Sequence, residues 1–451
     1  MNATKSNVQA KPRVLNKRRL RLQAQAKAAM LALAPSYDLV IIGGGAAGLA
    51  SAIYTAEHQV KTLILEKDYE VGRSILATGN GRCNFSNLYL EGKCFNDPDF
   101  ASITLGATPL QDILSFFRES GLLWAQKEGR LYPRSLSAAS VRNVLVQRAQ
   151  RAGVTFGCCR EVRRVAPSVQ AKHGADRQAA TNKLWNLDIV FTVDEVVGEK
   201  NKTAVAISNV AATKQVQTIQ AKQLIIAAGR GATQTNLLEN LAIPHIAASP
   251  VLCPLYCEDT PLMQLDGKRC TAKLSLYKSE FPSVVETGEL LFRSYGLSGI
   301  AIFNLSRHAS EGDTIELDLI PEYSAGEINQ RFFELKPAAI SFDGMLDPAI
   351  AQVVQHMASE AHETDLVNFV KHLRVKILGR ADLQSAQVTR GGFATDAFDP
   401  QTLEAHNYPG LHCVGEALNI DGACGGFNLS WAWKSGLVAA QHVCNALQTR
   451  E

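Results

Sequence analysis

Three glycines, two alanines and one acid carry the clearest chemistry in this chain. Gly43, Gly45 and Gly48 stand in GxGxxG spacing, and Glu66 follows roughly twenty residues on. In such a pattern Gly43 permits a tight turn, Gly45 lets the backbone approach a pyrophosphate, and Gly48 lets a helix pack closely on a strand. The free N–H groups of the first helical turn, at Ala46 and Ala47, then face the phosphates. A carboxylate at Glu66 accepts hydrogen bonds from ribose hydroxyls and argues against a 2′-phosphate there. The chemistry is dinucleotide binding.

The elements that must position these residues surround them. Leu39 to Ile42 has strand length and β-branched content, Ala46 to His58 reads as a small-residue helix, and Lys61 to Leu65 reads as a second strand. Leu39 to Ala56 is also nearly uncharged, but its glycine and alanine block in fingerprint order excludes a membrane span. Gly72 to Asn84 is too glycine-rich for a helix and too long for a simple turn, so it must line something. Leu110 to Glu119 and Ala138 to Ala152 have helical spacing. Val154 to Phe156, Leu184 to Val193, Ala204 to Ser208 and Gln217 to Gln220 read as a meander ending in Leu224 to Gly229. The small residues Ala228 and Gly229 there bring a second backbone stretch to the dinucleotide.

Farther on, Leu252 to Tyr256, Lys273 to Tyr277, Glu289 to Arg293 and Thr314 to Ile320 are strand signals of a β-rich domain. Ala325 to Leu335 and Ala349 to Leu378 read as helical, and His356, His362 and His372 among them lack a metal-ligand spacing, so no metal site is expected. Gly410 to Glu416 reads as a strand and turn. Asn428 to Leu447 is a helix behind Gly425-Gly426, whose free N–H groups favour negative charge.

Length and charge bound the rest. A chain of 451 residues exceeds one growing core, so two or three domains are expected. Its ten cysteines lack any CxxC pair, which points to reduced thiols and a cytoplasmic protein. Residues 1–37 hold eight Lys/Arg and no acid, and read as a flexible arm or as sequence upstream of a start at Met30, ahead of an export signal. Taking that +8 from the net +3 leaves a body at −5, so no nucleic-acid partner is expected.

Four separated words then resemble one family. They are Gly79-Asn80-Gly81-Arg82-Cys83-Asn84, Gly288 to Gly299, Ala386 to Gly392, and Gly415 to Asn428, in order within Tyr37 to His442. The chain is identified as similar to the two-dinucleotide-binding-domain flavoproteins that include bile-acid 3-dehydro-Δ4,6-reductases and aminoacetone oxidases. The resemblance implies an α/β fold: a discontinuous Rossmann-like FAD-binding domain over 38–240 and 376–451, an inserted β-rich barrel-like domain over 241–324, and a small helical cap over 325–375. It implies that Gly43, Gly45 and Gly48 hold the FAD pyrophosphate and Glu66 the adenosine ribose. Lys67, Arg73, Asn80, Arg82, Cys83, Asn84, Val162, Ala228, Gly229, Gly415 and Glu416 would border the cofactor. Asp421 would stand near the ribityl and phosphate region, and Gly425, Gly426, Phe427 and Asn428 beside the pyrimidine edge of the flavin.

There are departures from the family. Arg293-Ser294 replaces a usual Thr-His, Ile300 a usual Pro, Ser74 a common Lys, and Arg230 to Gln234 a Ser-Tyr-Pro word and its sequel. The implied activity is reduction of a conjugated C=C bond in a small hydrophobic substrate of 3-oxo-Δ4 or Δ6 type. NAD(P)H would be the transient reductant, since no second GxGxxG follows. Tyr295 and Tyr132 are the available proton donors. An amine oxidase of aminoacetone type is the alternative, and a flavin-bound RNA-modification or regulatory protein a third. The oligomeric state is open.

Overall fold

The computed structural model describes residues 33–168, 184–192, 216–234, 237–335 and 342–449. Most of the basic stretch and the expected strand Ala204 to Ser208 lie outside the described residues. The chain divides into two compact units. One comprises Met1–Ile246, Gly391–Ile420 and Gly425–Glu451, and the other Ala247–Arg390 and Asp421–Cys424.

The first unit is built on β1 (Ser36–Ile42), buried throughout from Leu39, so its sequence is an unbroken apolar run and not an alternation. It enters α1 (Ala46–Glu57) through the glycine turn and pairs in parallel with β2 (Thr62–Leu65), which sets Ile42 beside Leu65. The loop that follows holds a helical turn at Arg73–Leu76 and a 3₁₀ turn at Thr78–Gly81, where no helix was expected. Positive φ at Gly72, Gly79 and Asn80 keeps each to a single turn.

Next come β3 (Ser86–Asn87), α2 (Pro98–Leu105), α3 (Pro109–Glu119), β4 (Trp124–Lys127), β5 (Arg130–Pro133) and α4 (Ala138–Arg151). Strands β3, β5 and β4 form a small antiparallel sheet. Then β6 (Thr155–Gly157) extends the main sheet beside β2. The meander is β7 (Arg160–Pro167), β8 (Trp185–Phe191) and β9 (Gln217–Ile226). The last is one ten-residue strand where the sequence suggested two pieces, because its inner half also pairs in parallel with β1.

The chain leaves the first unit within β10 (His245–Val251) and forms a closed barrel. Its strands are β11 (Leu255–Cys257), β12 (Arg269–Tyr277), β13 (Pro282–Arg293), β14 (Gly296–Ser298), β15 (Thr314–Asp318) and β16 (Leu373–Arg380). Helix α5 (Ile300–Ser306) lies between β14 and β15, and α6 (Ala325–Leu335), α7 (Pro348–Glu360) and α8 (Leu366–Lys371) precede β16. The helix expected over Ala349 to Leu378 therefore ends early. Residues 373–377 alternate buried and exposed, a period of two that fits a strand. The helices are also no separate cap: Ile350, Val354, Val367 and Val370 share one core with barrel residues Leu274, Phe292 and Val375. The second unit accordingly runs from 247 to 390, where the sequence suggested boundaries at 240 and 375.

The chain re-enters the first unit within β17 (Val388–Phe393), followed by β18 (Glu404–Ala405), β19 (Tyr408–Cys413) and α9 (Phe427–Gln448). The main sheet then reads β18-β19-β9-β1-β2-β6. Close approach of α9 to α1 depends on Gly436, where a Cβ would stand 2.6 Å from the Ala47 carbonyl oxygen. The Ser51 hydroxyl lies between the two helices, 2.9 Å from the Gly436 oxygen and 3.0 Å from that of Ala47.

Candidate functional site

The site in the first unit begins where β1 gives way to α1. A Cβ at Gly43 would overlap the Ala227 carbonyl, and one at Gly48 would overlap the Gly43 carbonyl, so both glycines serve packing of the turn. Gly45 differs. A Cβ there would meet only the Ser74 Oγ, at 3.2 Å, so its backbone faces open space. No side chain caps α1 at Gly45 and no acid lies in its first turn, which leaves the N–H groups at Ala46 and Ala47 disposed toward an anion.

Glu66 closes the other side. Its Oε2 accepts from the Gly44 N–H at 2.8 Å and its Oε1 from the Asp68 N–H at 2.9 Å. Its own main chain joins β6 and β7, donating to the Gly157 oxygen and accepting from the Arg160 N–H, both at 2.9 Å. Val162 sits two residues farther along β7, buried and paired with Ile189. Lys67 follows Glu66, and its carbonyl accepts from the Thr192 hydroxyl at 3.0 Å. Arg73 is exposed, paired with Asp68 and placed over the Tyr69 ring at 4.5 Å.

The C-terminal glycines stand against β3. A Cβ on Gly426 (φ 102°) would come 2.6 Å from the Ser86 carbonyl and 2.8 Å from Asn84 Oδ1. That Asn84 oxygen is buried without a hydrogen-bond partner. Asn87 Nδ2 donates to the Gly425 carbonyl at 2.8 Å, and the Ser86 and Ser430 hydroxyls are 2.9 Å apart. Helix α9 starts at Gly426 with no capping side chain and no acid in its first turn, and it carries Phe427 and Asn428 there. Gly415 is fixed by its N–H to Ser435 Oγ at 3.0 Å and its carbonyl to the Trp431 indole at 3.1 Å. Glu416 and Gly229 are close: a Cβ on the glycine would stand 3.6 Å from Glu416 Oε2, beside Ala228 at the end of β9.

Three expectations are corrected or narrowed. Asp421 belongs to the second unit and is fully buried there, with Oδ1 accepting from Arg307 Nε and Arg390 Nη2 at 2.9 Å and Oδ2 from Arg390 Nε at 2.6 Å. Its carboxylate braces two guanidiniums, which narrows its expected place near the ribityl and phosphate region to a supporting one. Cys83 has no exposed surface, and burial pushes its thiol up to about 11 against a lowering hydrogen bond from Thr78. Asn80 and Arg82 remain exposed in the loop before it. Tyr295 sits in the second unit at 38% exposure, edge-on to Tyr256 at 5.5 Å, while half-buried Tyr132 lies on β5 opposite Ala125.

The sequence reading passed over Ser86, Asn87 and Arg130. Arg130 pairs with Asn87 across β3 and β5, and its Nε lies 3.8 Å from the Cβ position of Gly425. No motif marks these residues, because a two-residue strand gives no periodicity.

Open backbone at Gly45, two uncapped helix starts, an oriented carboxylate and a buried unpartnered amide oxygen fit a dinucleotide whose far end is a polar ring. The profile of the HI0933-like protein Rossmann domain matches residues 37–442. The chain belongs to the HI0933-like family. This HI0933-like protein is 30% identical to the 3-dehydro-bile acid delta(4,6)-reductase of Clostridium scindens, over 89% of this chain and 97% of that protein. It is 25% identical to the ribosomal RNA dihydrouridine synthase of Escherichia coli, over 91% of this chain and 98% of the other. Among solved structures, the 3-ketosteroid delta1-dehydrogenase of Sterolibacterium denitrificans is similar at a TM-score of 0.48 and 10% identity, covering 92% of this chain and all of that one. The HI0933-like protein is an FAD-dependent oxidoreductase. Among its described residues, no helix is long and apolar enough to cross a membrane.

Proposed function

We propose that this chain reduces a C=C bond conjugated to a carbonyl, with NAD(P)H as the electron source and a small hydrophobic 3-oxo-Δ4 or Δ6 compound as substrate. One observation carries the reading. Two relatives matched along nearly their whole length bear names that describe the same bond change. A 3-oxo-Δ4,6 system and the C5=C6 bond of uridine are both alkenes conjugated to a carbonyl, and both names denote their saturation.

Bound FAD supplies hydride transfer between nicotinamide and the electron-poor carbon. The chain supplies position and field. Gly45 and the N-terminus of α1 hold the pyrophosphate, and Glu66 holds the ribose. The N-terminus of α9, with Asn84 beside it, favours negative charge at the ring. Tyr132 is the proposed donor of the proton that the α-carbon needs, on a sheet tied by Asn87 to the Gly425 carbonyl.

A second reading, uridine in RNA as substrate, is favoured by the dihydrouridine synthase relative. Against it stands the −5 charge of the chain outside its first 37 residues.

Anaerobic stopped-flow mixing tests the proposal. Oxidised protein is mixed with NADH, NADPH or aminoacetone, and the reduced protein with a 3-oxo-Δ4 steroid, a ribosomal RNA fragment or oxygen. Bleaching by nicotinamide and fastest reoxidation by the steroid are expected. Fastest reoxidation by RNA moves the assignment to the second reading, and bleaching by the amine alone overturns both.

A further inference from the structure

Far along the main sheet from the glycine turns, three side chains with metal-binding atoms converge on one face. Glu404 and His412 are direct cross-strand partners on β18 and β19, so their side chains share a face of the sheet. Helix α9 adds His442, whose ring centroid lies 5.3 Å from that of His412. Gly410 N–H holds Glu404 Oε1 at 2.6 Å, and Glu404 Oε2 lies 3.7 Å from His442 Nε2.

His412 is the informative member. It is fully buried, and neither ring nitrogen has a hydrogen-bond partner. The Leu224 backbone comes near the ring without hydrogen-bond geometry. An imidazole buried in this way leaves a donor and an acceptor unsatisfied, which a folded protein tolerates only at a cost. The Glu404–His442 separation is likewise too long for a hydrogen bond.

One occupant satisfies all three groups. We propose that Glu404, His412 and His442 bind a divalent first-row transition ion, zinc being the best match. Two imidazoles and one carboxylate suit zinc and its neighbours, whereas calcium and magnesium prefer all-oxygen shells. The ligand atoms lie within 4.8 Å of one another. Bonds of about 2.1 Å in a tetrahedron need ligand atoms about 3.4 Å apart, so side-chain rotations of about an ångström close the shell. Solvent takes the fourth position, since the Glu404 and His442 side chains keep 28% and 30% exposure. The ion pins α9 to the β18–β19 hairpin and takes no part in the redox step. Nothing local in the sequence announces it, because the ligands come from two strands and a helix.

The test uses the full-length, tag-free holoprotein. After incubation with zinc chloride and desalting, metal is counted by mass spectrometry and FAD by absorbance. One zinc per chain is expected in the parent. Glu404→Gln and His442→Gln are each expected to retain less than a tenth of that, with the FAD ratio unchanged. Cobalt(II) in the parent is expected to give visible d–d bands beyond the flavin absorption, which requires no variant to fold. Parent protein that holds FAD but retains no zinc overturns the proposal, as does full zinc retention in both variants or an absent cobalt spectrum.

Discussion

The Gly44 N–H and the Glu66 Oε2 are joined at 2.8 Å, so the turn proposed to receive the pyrophosphate also orients the acid proposed to receive the ribose. Loss of that carboxylate is expected to disturb both. Glu66→Ala is expected to weaken FAD binding by roughly ten- to a hundredfold, the value of a charge-assisted hydrogen bond of about 1.5–3 kcal/mol. Glu66→Gln, which keeps one acceptor, is expected to lose less. Fluorescence titration of deflavinated protein with FAD measures both.

Gly45 and Gly48 lie three residues apart but are expected to fail differently. Gly48→Ala drives a methyl into the Gly43 carbonyl and is expected to cost roughly 1–3 kcal/mol of stability even at saturating FAD. Gly45→Ala meets only the Ser74 hydroxyl and has an ordinary negative φ. It is expected to leave the saturated melting temperature nearly unchanged while raising the FAD concentration needed to reach it.

Asp421 sets an acid limit. Burial alone would raise its carboxyl, but the Arg390 and Arg307 guanidiniums override it and hold it below the usual carboxylate range. The stabilisation is therefore complete above the unfolded value near 3.9 and is lost as pH falls through the lower folded value. Asp421→Asn is expected to cost about 3–5 kcal/mol at neutral pH and to flatten the acid limb of stability against pH. Urea unfolding across a pH series reads both effects.

Cys83 is predicted to be chemically silent. A buried thiol raised to about 11 is almost wholly protonated at pH 8, so iodoacetamide should leave it unlabelled in the native protein. Peptide mass spectrometry with and without denaturant provides the comparison. Labelling of native Cys83 at the rate of a free thiol would refute the assignment.

Tyr132→Phe separates the two half-reactions. Flavin reduction by NAD(P)H should be unchanged, while reoxidation by the enone slows about 10²–10⁴-fold, the usual worth of a positioned general acid. Tyr295→Phe, on the second unit, should leave both rates near those of the parent.

The nucleotide cradle was legible because its parts are local: strand, glycines, helix and acid fit within residues 38–66. Helices such as α4 and α9 were legible from periodicity, and their ends fall within about two residues of the expected ones. What could not be read depends on distant partners. Asp421 sits in a motif word, but its meaning is fixed by Arg307 and Arg390, which no spacing connects to it. Strand β16 was hidden behind helices because its alternation is short and abuts the helical pattern of α8. Arg130 and Asn87 reach Gly425 only through a sheet whose strands are two and four residues long.

The C-terminal β19 lies beside β9, within the same sheet as β1. This placement has a consequence for how the molecule is made. All six barrel strands have been translated by Arg380, ahead of β19 and α9. The insert can therefore close first, while the nucleotide-binding half waits with one sheet position unfilled and α1 uncovered by α9. Synthesis runs from one end to the other, but the fold is completed from the inside outward.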